Sequence, residues 1–229
     1  MIKDISIGRR QFLGTSAVGG LSLGLSLSGL LPASQAQAAG ASQVNSWLNI
    51  GSDNSVTLTI GASEMGQGSF PGLAQVLSED LMVDFNRVKL LQGGPIFKVS
   101  PAPVGSAINT VGSGVTRNNF WRLRDAGASA RETLVAAAMN RLGDGVRSNF
   151  TVTDGVIRHS SGRSLTYGDV AADAALLTPV AGAPLVADAD LKVIGRSLPR
   201  PDIPLKVDGS AKFGLDVRIP GMVFAVIKH

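Results

Sequence analysis

The chain has 229 residues and no cysteine, and that single absence removes several classes of protein at once. A disulfide framework, a thiolate zinc site and a thiolate-held iron–sulfur cluster all need sulfur ligands, so any such centre must belong to another polypeptide. Histidine is nearly as scarce. His159 and His229 are the only two, which argues against a histidine-rich metal site, and His159 is expected as a solvated strand residue. No uninterrupted hydrophobic run is present either, because Gly19, Gly20, Gly24 and Gly29 break the apolar stretch from Phe12 to Leu31; that stretch is too weakly hydrophobic for a membrane anchor. Aromatics amount to 5% and charged residues to 17%.

What is abundant is glycine, with 28 residues, beside 11 prolines and a hydrophobic content of 44%. Such a composition is globular, with short elements, many loops and some glycines where backbone must approach a ligand closely. The length suits one large domain or two small ones. The formal charge is +4, but Lys3, Arg9 and Arg10 against Asp4 lie in the N-terminal segment, leaving 18 basic and 16 acidic residues beyond it. A net charge of +2 gives no case for nucleic acid as a partner.

Residues 1–39 have the form of an export signal. Lys3, Arg9 and Arg10 make a basic start, the apolar stretch follows, and Ala36-Gln37-Ala38 supplies a small-x-small cleavage site. Gly8-Arg9-Arg10-Gln11-Phe12-Leu13 is similar to the twin-arginine motif, in which the arginine pair precedes bulky apolar residues. Periplasmic export of a folded, cofactor-loaded protein is the expectation, and residues 1–39 are expected to be processing sequence rather than fold.

Beyond it, the pattern predicts an α+β fold: a mixed sheet with packed helices. Val44 to Ile50 and Ser55 to Ile60 form a hairpin about the turn Gly51-Ser52-Asp53-Asn54. A Gly-rich loop from Gly61 to Ser69 leads into a helix over 71–82, where Leu73, Val76, Leu77 and Leu81 recur at helical spacing behind Pro71. Arg87 to Gln92 is a further strand, and a loop of some twenty residues up to Thr110 is long enough to belong to a site. A small-residue helix follows from Ser113 to Arg141, with Phe120, Leu123, Gly127, Ala130, Leu134 and Ala137 on the face that meets a neighbour. Phe150 to His159 is a hairpin, because Asp154-Gly155 suits the positive φ values of a type I′ turn. Tyr167 to Leu177 is a short helix, and 211–217 and 222–227 are expected as strands.

Two loops have the composition of a binding site. Glu64-Met65-Gly66-Gln67-Gly68 lies between strand and helix, where backbone N–H groups favour an anion or an oxo group, and the Gln67 amide can hold a metal-bound oxygen without adding charge. Alone it reads rather as a tight turn. Asn109-Thr110-Val111-Gly112-Ser113-Gly114 enters the long helix with hydroxyls and glycines that suit an anion cradle or an ordinary serine N-cap.

Ordered motifs go further. Ser63-Glu64-Met65-Gly66-Gln67-Gly68 with Leu73 to Leu81, Ala126 to Arg131, Asp154-Gly155-Val156, Gly162-Arg163 with Tyr167-Gly168, Ile194-Gly195, Lys206 to Asp216 and Pro220-Gly221-Met222 resemble the molybdopterin-binding subunit of the xanthine dehydrogenase family. The branch is the isoquinoline 1-oxidoreductase beta-subunit type, with the periplasmic aldehyde dehydrogenases. The resemblance implies a molybdenum cofactor, molybdopterin or a dinucleotide form of it, shared with residues outside this chain. It implies that Gly66, Gln67 and Gly68 hold a loop against the cofactor, with the Gln67 amide facing an oxygen ligand of molybdenum, and that Thr110, Gly112 and Ser113 contact the pterin or its phosphate tail. The family pattern commonly has a further hydroxyl residue near Val115, and this sequence departs from it. The family's catalytic glutamate lies towards a C-terminus this chain lacks, and Glu64 is no substitute for it, so neither a catalytic residue nor a metal ligand is assigned.

The expected organisation is an export signal over 1–39, the first part of a molybdopterin-binding domain over 40–178, a connector over 179–205 and the start of a further domain over 206–229. The expected function is that of the N-terminal part of a molybdenum hydroxylase large subunit, oxidising aldehydes or N-heteroaromatic compounds with oxygen from water and inactive alone. Its implied partners are an iron–sulfur small subunit carrying a [2Fe–2S] centre and a cytochrome c subunit. The competing reading is a non-catalytic periplasmic protein, or a degenerate gene product, whose Gly-rich loops are merely turns.

Overall fold

Strict alternation of apolar and polar residues makes the first sheet. In strand β3 (Val56–Ile60), Val56, Leu58 and Ile60 are buried and the two threonines face outward. Strand β2 (Leu48–Gly51) meets it antiparallel in the register Leu48↔Leu58 and Ile50↔Val56. The Asp53 carboxylate takes the Ser55 N–H at 3.0 Å, and Asn54 enters the left-handed region at φ 63 to close the turn. This computed structural model describes residues 20–23, 48–92, 110–200 and 202–228.

Helix α1 (Ser69–Leu81) carries the chain from β3 to strand β4 (Val88–Gln92), which pairs parallel to β3 with Val56 opposite Val88. This is a βαβ unit, since parallel neighbours need a crossover of this kind. Strand β1 (Gly20–Leu23) lies antiparallel on β2, so the sheet order is β1-β2-β3-β4. Residues 20–23 fall in the segment read as an export signal, yet in the whole chain their backbone pairs with β2, which would otherwise present unpaired N–H and C=O groups. The twin-arginine motif, the cleavage site, the start of the predicted strand at 44–47 and residues 93–109 of the long loop lie outside the described residues.

Helix α2 (Gly114–Leu142) packs along α1. Gly127 is the point of closest approach: a methyl group there would stand 2.8 Å from the Leu77 carbonyl oxygen and 2.9 Å from the Leu81 nitrogen. Only a residue without a side chain admits two helix backbones so close. The small-residue face read from the sequence is thus an α1-facing stripe, with Leu123, Ala130, Leu134 and Ala137 buried along it.

The second sheet is the hairpin β5 (Phe150–Thr153) and β6 (Val156–His159), extended by β7 (Ser164–Thr166) in the order β5-β6-β7. Asp154 at φ 49 and Gly155 at φ 74 form the turn expected of Asp-Gly. Helix α3 (Tyr167–Ala174) starts at a capping box, with the Asp169 N–H on the Thr166 hydroxyl and the Thr166 N–H on the Asp169 carboxylate. Tyr167 ties the start of α3 to the end of α1. Its ring is fully buried and its hydroxyl donates to the Leu81 carbonyl at 2.7 Å. Burial pushes the Tyr167 phenol well above its ordinary value.

The Pro-punctuated connector is held by buried charge on the two long helices. The Glu79 carboxylate accepts the consecutive N–H groups of Lys192, Val193 and Ile194 at 2.7–3.1 Å. Asp80 accepts the Val186 N–H at 2.7 Å and pairs with Arg124 Nε at 2.6 Å, while Arg124 also reaches the Val186 carbonyl. Arg131 donates to the carbonyls of Asp80 and Pro184. Every charge is bonded, as burial requires. Glu132 sits under Arg147 and Arg131; burial opposes its ionisation, but hydrogen bonds from those two arginines outweigh it and hold its carboxyl below the usual range.

The chain divides into two units, Met1–Arg196 and Ser197–His229. In the second, helix α4 (Ile203–Val207) is followed by a 3-10 turn at Gly214–Asp216 and irregular backbone. The strands expected over 211–217 and 222–227 do not form. Residues 211–217 alternate as strand residues do and 222–227 are uniformly apolar, but no neighbouring strand accepts their ladder bonds among the described residues, and Val223, Phe224 and Val226 are exposed. Pattern alone does not make a strand, because a strand's backbone is satisfied only by a partner. Among the described residues no helix is long and apolar enough to cross a membrane.

Candidate cofactor site

The two Gly-rich loops meet. Each precedes a helix, and the Ser63 N–H donates to the Thr110 hydroxyl oxygen at 2.7 Å. Thirteen residues into α2, Gly127 lies against residues 77–81 at the end of α1, so the two helices run in the same direction. Both positive ends of their dipoles, and both sets of unpaired N–H groups, therefore face one side of the molecule.

The ends differ in how they are satisfied. At α1, Gly68 is the N-cap at φ 78, and the cap is made by Glu64. One Glu64 oxygen accepts the Gly66 and Gly68 N–H groups at 2.9 Å each; the other accepts the Phe70 N–H at 2.9 Å and faces the Ser69 hydroxyl at 3.4 Å. This corrects the expectation that the backbone donors of the first loop stand open to a ligand. They converge at a helix start, where a negative charge is favoured, and the chain supplies its own. Glu64 is a cap, with no free carboxylate for catalysis.

Gln67 is exposed, with its amide folded onto its own loop: Oε1 accepts the Met65 N–H at 2.5 Å and Nε2 donates to the Ser63 carbonyl at 2.9 Å. It joins the Ser63–Thr110 contact through Ser63, and no direct bond to Ser113 links the loops. Gly66, at φ 98, has open space where a side chain would be.

At α2 no side chain among the described residues caps the helix. Ser113 is the N-cap in the left-handed region, at φ 51 and ψ 30, and its hydroxyl makes no cap bond. The ordinary serine-cap reading of this loop is therefore not realised. A non-glycine residue there is held at some cost, a feature that clusters at ligand sites. Gly112, at φ 60, has no atom near the place of a side chain, while Gly114 is hemmed in by Asn118. Thr110 uses its oxygen to accept from Ser63 and keeps a hydroxyl hydrogen to donate.

One residue escaped the sequence. Asn119 shares the α1-facing stripe with Leu123 and Gly127, and it is 5% exposed. Its Nδ2 donates to the Val115 carbonyl at 2.7 Å, but its buried Oδ1 has no partner among the described residues. Leaving a buried acceptor unpaired costs about 1–3 kcal/mol, so such an atom is a place for a ligand donor. Helical spacing makes position 119 read as core, and only its polarity marks it. Val115, where the resemblance led one to look for a hydroxyl, is buried instead.

An open helix N-terminus, a strained serine, a glycine with free space and an orphaned amide oxygen suit a ligand with an anionic arm and N–H donors. A family model for the molybdopterin cofactor-binding domain matches residues 9–202. The chain belongs to the molybdopterin cofactor-binding domain family.

Within this family the chain is 31% identical over 218 residues to the beta chain of isoquinoline 1-oxidoreductase from Brevundimonas diminuta, covering 80% of this chain and 28% of that protein. It is 28% identical over 233 residues to the membrane-bound aldehyde dehydrogenase (pyrroloquinoline-quinone) of Gluconacetobacter polyoxogenes, covering 97% and 29%. A nicotinate dehydrogenase subunit of Pseudomonas putida is 30% identical over 178 residues, covering 77% and 14%. The chain thus spans less than a third of each relative's length. Its α+β architecture agrees with the fold expected of a molybdopterin-binding domain. Among the described residues no group of three metal-ligating side chains is found.

Proposed function

We propose that this chain forms one wall of the cofactor site in a molybdenum hydroxylase large subunit. The observation that carries the reading is the contrast between two parallel helix starts: α1 is closed by Glu64, while α2, beside it, is left uncapped behind Ser113. A chain that closes one positive end with its own carboxylate and, among its described residues, leaves the other bare is arranged for an external anion.

Ser113 and the first-turn N–H groups of α2 hold the phosphate-bearing arm of molybdopterin, in its simple or dinucleotide form. Thr110 fixes the second loop against the first and offers its hydroxyl hydrogen, and Gly112 lets the backbone approach. Asn119 accepts an N–H from the pterin. Gln67, between Gly66 and Gly68, reaches a cofactor oxygen by exchanging its present bonds to Met65 and Ser63. When bound, the molybdenum centre supplies two-electron oxidation with oxygen drawn from water. The substrates are aldehydes or N-heteroaromatic compounds, in keeping with the names of the relatives. Because this chain has no cysteine, electrons leave through a partner: an iron–sulfur small subunit with a [2Fe–2S] centre, followed by a cytochrome c subunit. By itself the chain is expected to give no turnover, since the resemblance assigns it no catalytic residue. Export to the periplasm by the twin-arginine route rests on Arg9-Arg10-Gln11-Phe12-Leu13.

The test is to express the chain with a molybdopterin supply, purify it and measure molybdenum, pterin fluorescence and quinone absorbance. Bound pterin that is lost on Ser113→Ala and Gly112→Val, with the fold retained by circular dichroism, supports the reading. Bound pyrroloquinoline quinone, absence of any cofactor, or pterin retained undiminished by both variants overturns it.

A further inference from the structure

At the opposite end of α2 from the cofactor loops, a hydroxyl, an imidazole and a carboxylate stand in line. Ser161 Oγ is 2.6 Å from His159 Nδ1, and His159 Nε2 is 2.8 Å from Asp144 Oδ2. Asp144 follows Gly143, the C-cap of α2; His159 ends β6; Ser161 lies in the turn between β6 and β7. Helix α2 has 29 residues, roughly 43 Å of rise, so this group is remote from the Ser113 end.

Each member is fixed by its neighbours. Asp144 accepts from Asn149 Nδ2 at 2.7 Å and from the Val146 N–H at 2.8 Å. The Asn149 bond first, then that of His159, hold its carboxyl down to about 2, so it is an anion at neutral pH. With the Asp144 carboxylate accepting at Nε2, the ring hydrogen lies on Nε2 and the acceptor is Nδ1. The Ser161 backbone N–H also points there, at 3.2 Å. The ring packs on Phe150 with centroids 4.8 Å apart and its side chain is 8% exposed. His159 is thus not the solvated strand residue expected from the sequence. Ser161, by contrast, is exposed. Arg163 Nε donates to Ser161 Oγ at 3.1 Å, and its terminal nitrogens have no partner among the described residues. With Oγ accepting from Arg163, its own hydrogen is directed to Nδ1.

We propose that Ser161, His159 and Asp144 form a second site, one that transfers the acyl group of small activated esters to Ser161 and then to water. A nucleophile, a base and a group orienting the base are the arrangement such chemistry needs. Ser161 Oγ attacks the ester carbonyl carbon while His159 Nδ1 takes the hydroxyl proton. The bond to the alkoxy group breaks, and the alcohol leaves with that proton. The Arg163 guanidinium faces the oxygen that gathers negative charge. Water then attacks the acyl-serine with the same base, releasing the carboxylic acid and restoring Ser161. No oxidation occurs and no cofactor takes part. Ser161 and His159 are the catalytic residues, and Asp144 is a positioning residue.

The test uses the full chain without molybdopterin, so that its outcome is separate from that of the cofactor assay. 4-Nitrophenyl acetate is supplied, nitrophenolate release is followed, and the protein is mapped for an acetyl adduct. Expected are an adduct on Ser161, loss of release by about 100-fold or more in Ser161→Ala and His159→Gln, and an altered pH profile in Asp144→Asn. Ser161 is exposed, so its alanine variant folds. Release unchanged in Ser161→Ala, an adduct confined to other residues, or no release above buffer overturns the proposal and leaves the three residues as a clasp on the hairpin.

Discussion

Gly127 permits the sharpest test of how α1 and α2 are held, because the same substitution has opposite expected signs at two glycines. In a helix interior, alanine is favoured over glycine by roughly 1 kcal/mol, a gain that comes from the unfolded chain and is equal at both sites. At Gly72, on α1, an added methyl group meets nothing within 4 Å, so Gly72→Ala should gain most of that amount. At Gly127 it meets the Leu77 oxygen at 2.8 Å, the Leu81 nitrogen at 2.9 Å and the Asp80 carbonyl carbon at 3.2 Å. All three are backbone atoms and cannot swing aside. Overpacking costs about 1–3 kcal/mol, and α1 is held at this level by the bonds of Glu79 and Asp80, which places the cost in the upper part of that range. The net for Gly127→Ala is a loss of about 1–2 kcal/mol. For a chain of this size 1 kcal/mol corresponds to roughly 2–4 °C in Tm, so Gly72→Ala should melt a few degrees above the parent and Gly127→Ala a few degrees below. Chemical denaturation with matched slopes checks the same pair. Equal shifts of like sign would refute the claim that the two backbones touch at Gly127.

Three further outcomes follow from the structure. Glu79→Ala removes the acceptor of the Lys192, Val193 and Ile194 N–H groups; a loss of about 3 kcal/mol and early proteolysis within 184–196 are expected, and unchanged protection there would count against the clamp. Asp144 has a carboxyl lowered from 3.8 to about 2 by Asn149, His159 and the Val146 N–H. A depressed carboxylate adds stability that is complete above 3.8 and lost as the pH falls through about 2. The stability difference between the parent and Asp144→Asn should therefore be constant above that window and vanish below it; a difference that persists at low pH would show the bonds do not depend on the charge. Replacing Arg9 and Arg10 by Lys should leave the precursor in the cytoplasm on cell fractionation, and normal export would remove the twin-arginine assignment.

The βαβ unit, α2 and the β5–β6 hairpin are legible in the sequence because their determinants are local. Alternation at Val56, Leu58 and Ile60, helical spacing at Leu73, Leu77 and Leu81, and Asp154-Gly155 each decide a conformation within a few residues. What stays illegible depends on partners far along the chain. No local pattern marks Arg124 and Arg131 for burial, yet they are buried, because the connector around Pro184 and Val186 returns its carbonyls to them. Strand β7, with three residues, is too short to carry a period. Residues 211–217 show the converse: they have the period and lack a partner. The site divides the same way. Both loops were legible from glycine and hydroxyl composition, but the direction in which Glu64 turns, back onto Gly66, Gly68 and Phe70, is a matter of geometry. A carboxylate two and four residues ahead of glycines at a helix start is the signal that could have found it. No spacing links Asp144 to His159, which meet only because the hairpin folds back over the end of α2.

Parallel packing of two helices is electrostatically awkward, because it places two positive ends side by side. The fold meets this at one end with Glu64, whose two oxygens face four donors. The same solution was open to the second end, since Ser113 occupies the N-cap, the position from which a hydroxyl normally bonds back to the helix. Instead, the left-handed backbone at Ser113 goes with a hydroxyl that makes no cap bond, and the residue is exposed. Strain at that residue and an unpaired Asn119 oxygen on the same helix both lower stability in the free chain. A ligand that accepts from the α2 terminus and donates to Asn119 relieves both at once, so binding it should stabilise the α1–α2 pair as a unit. The clasp from Ser63 to Thr110 is what makes that effect reach the first loop, where Gln67 waits on exposed backbone.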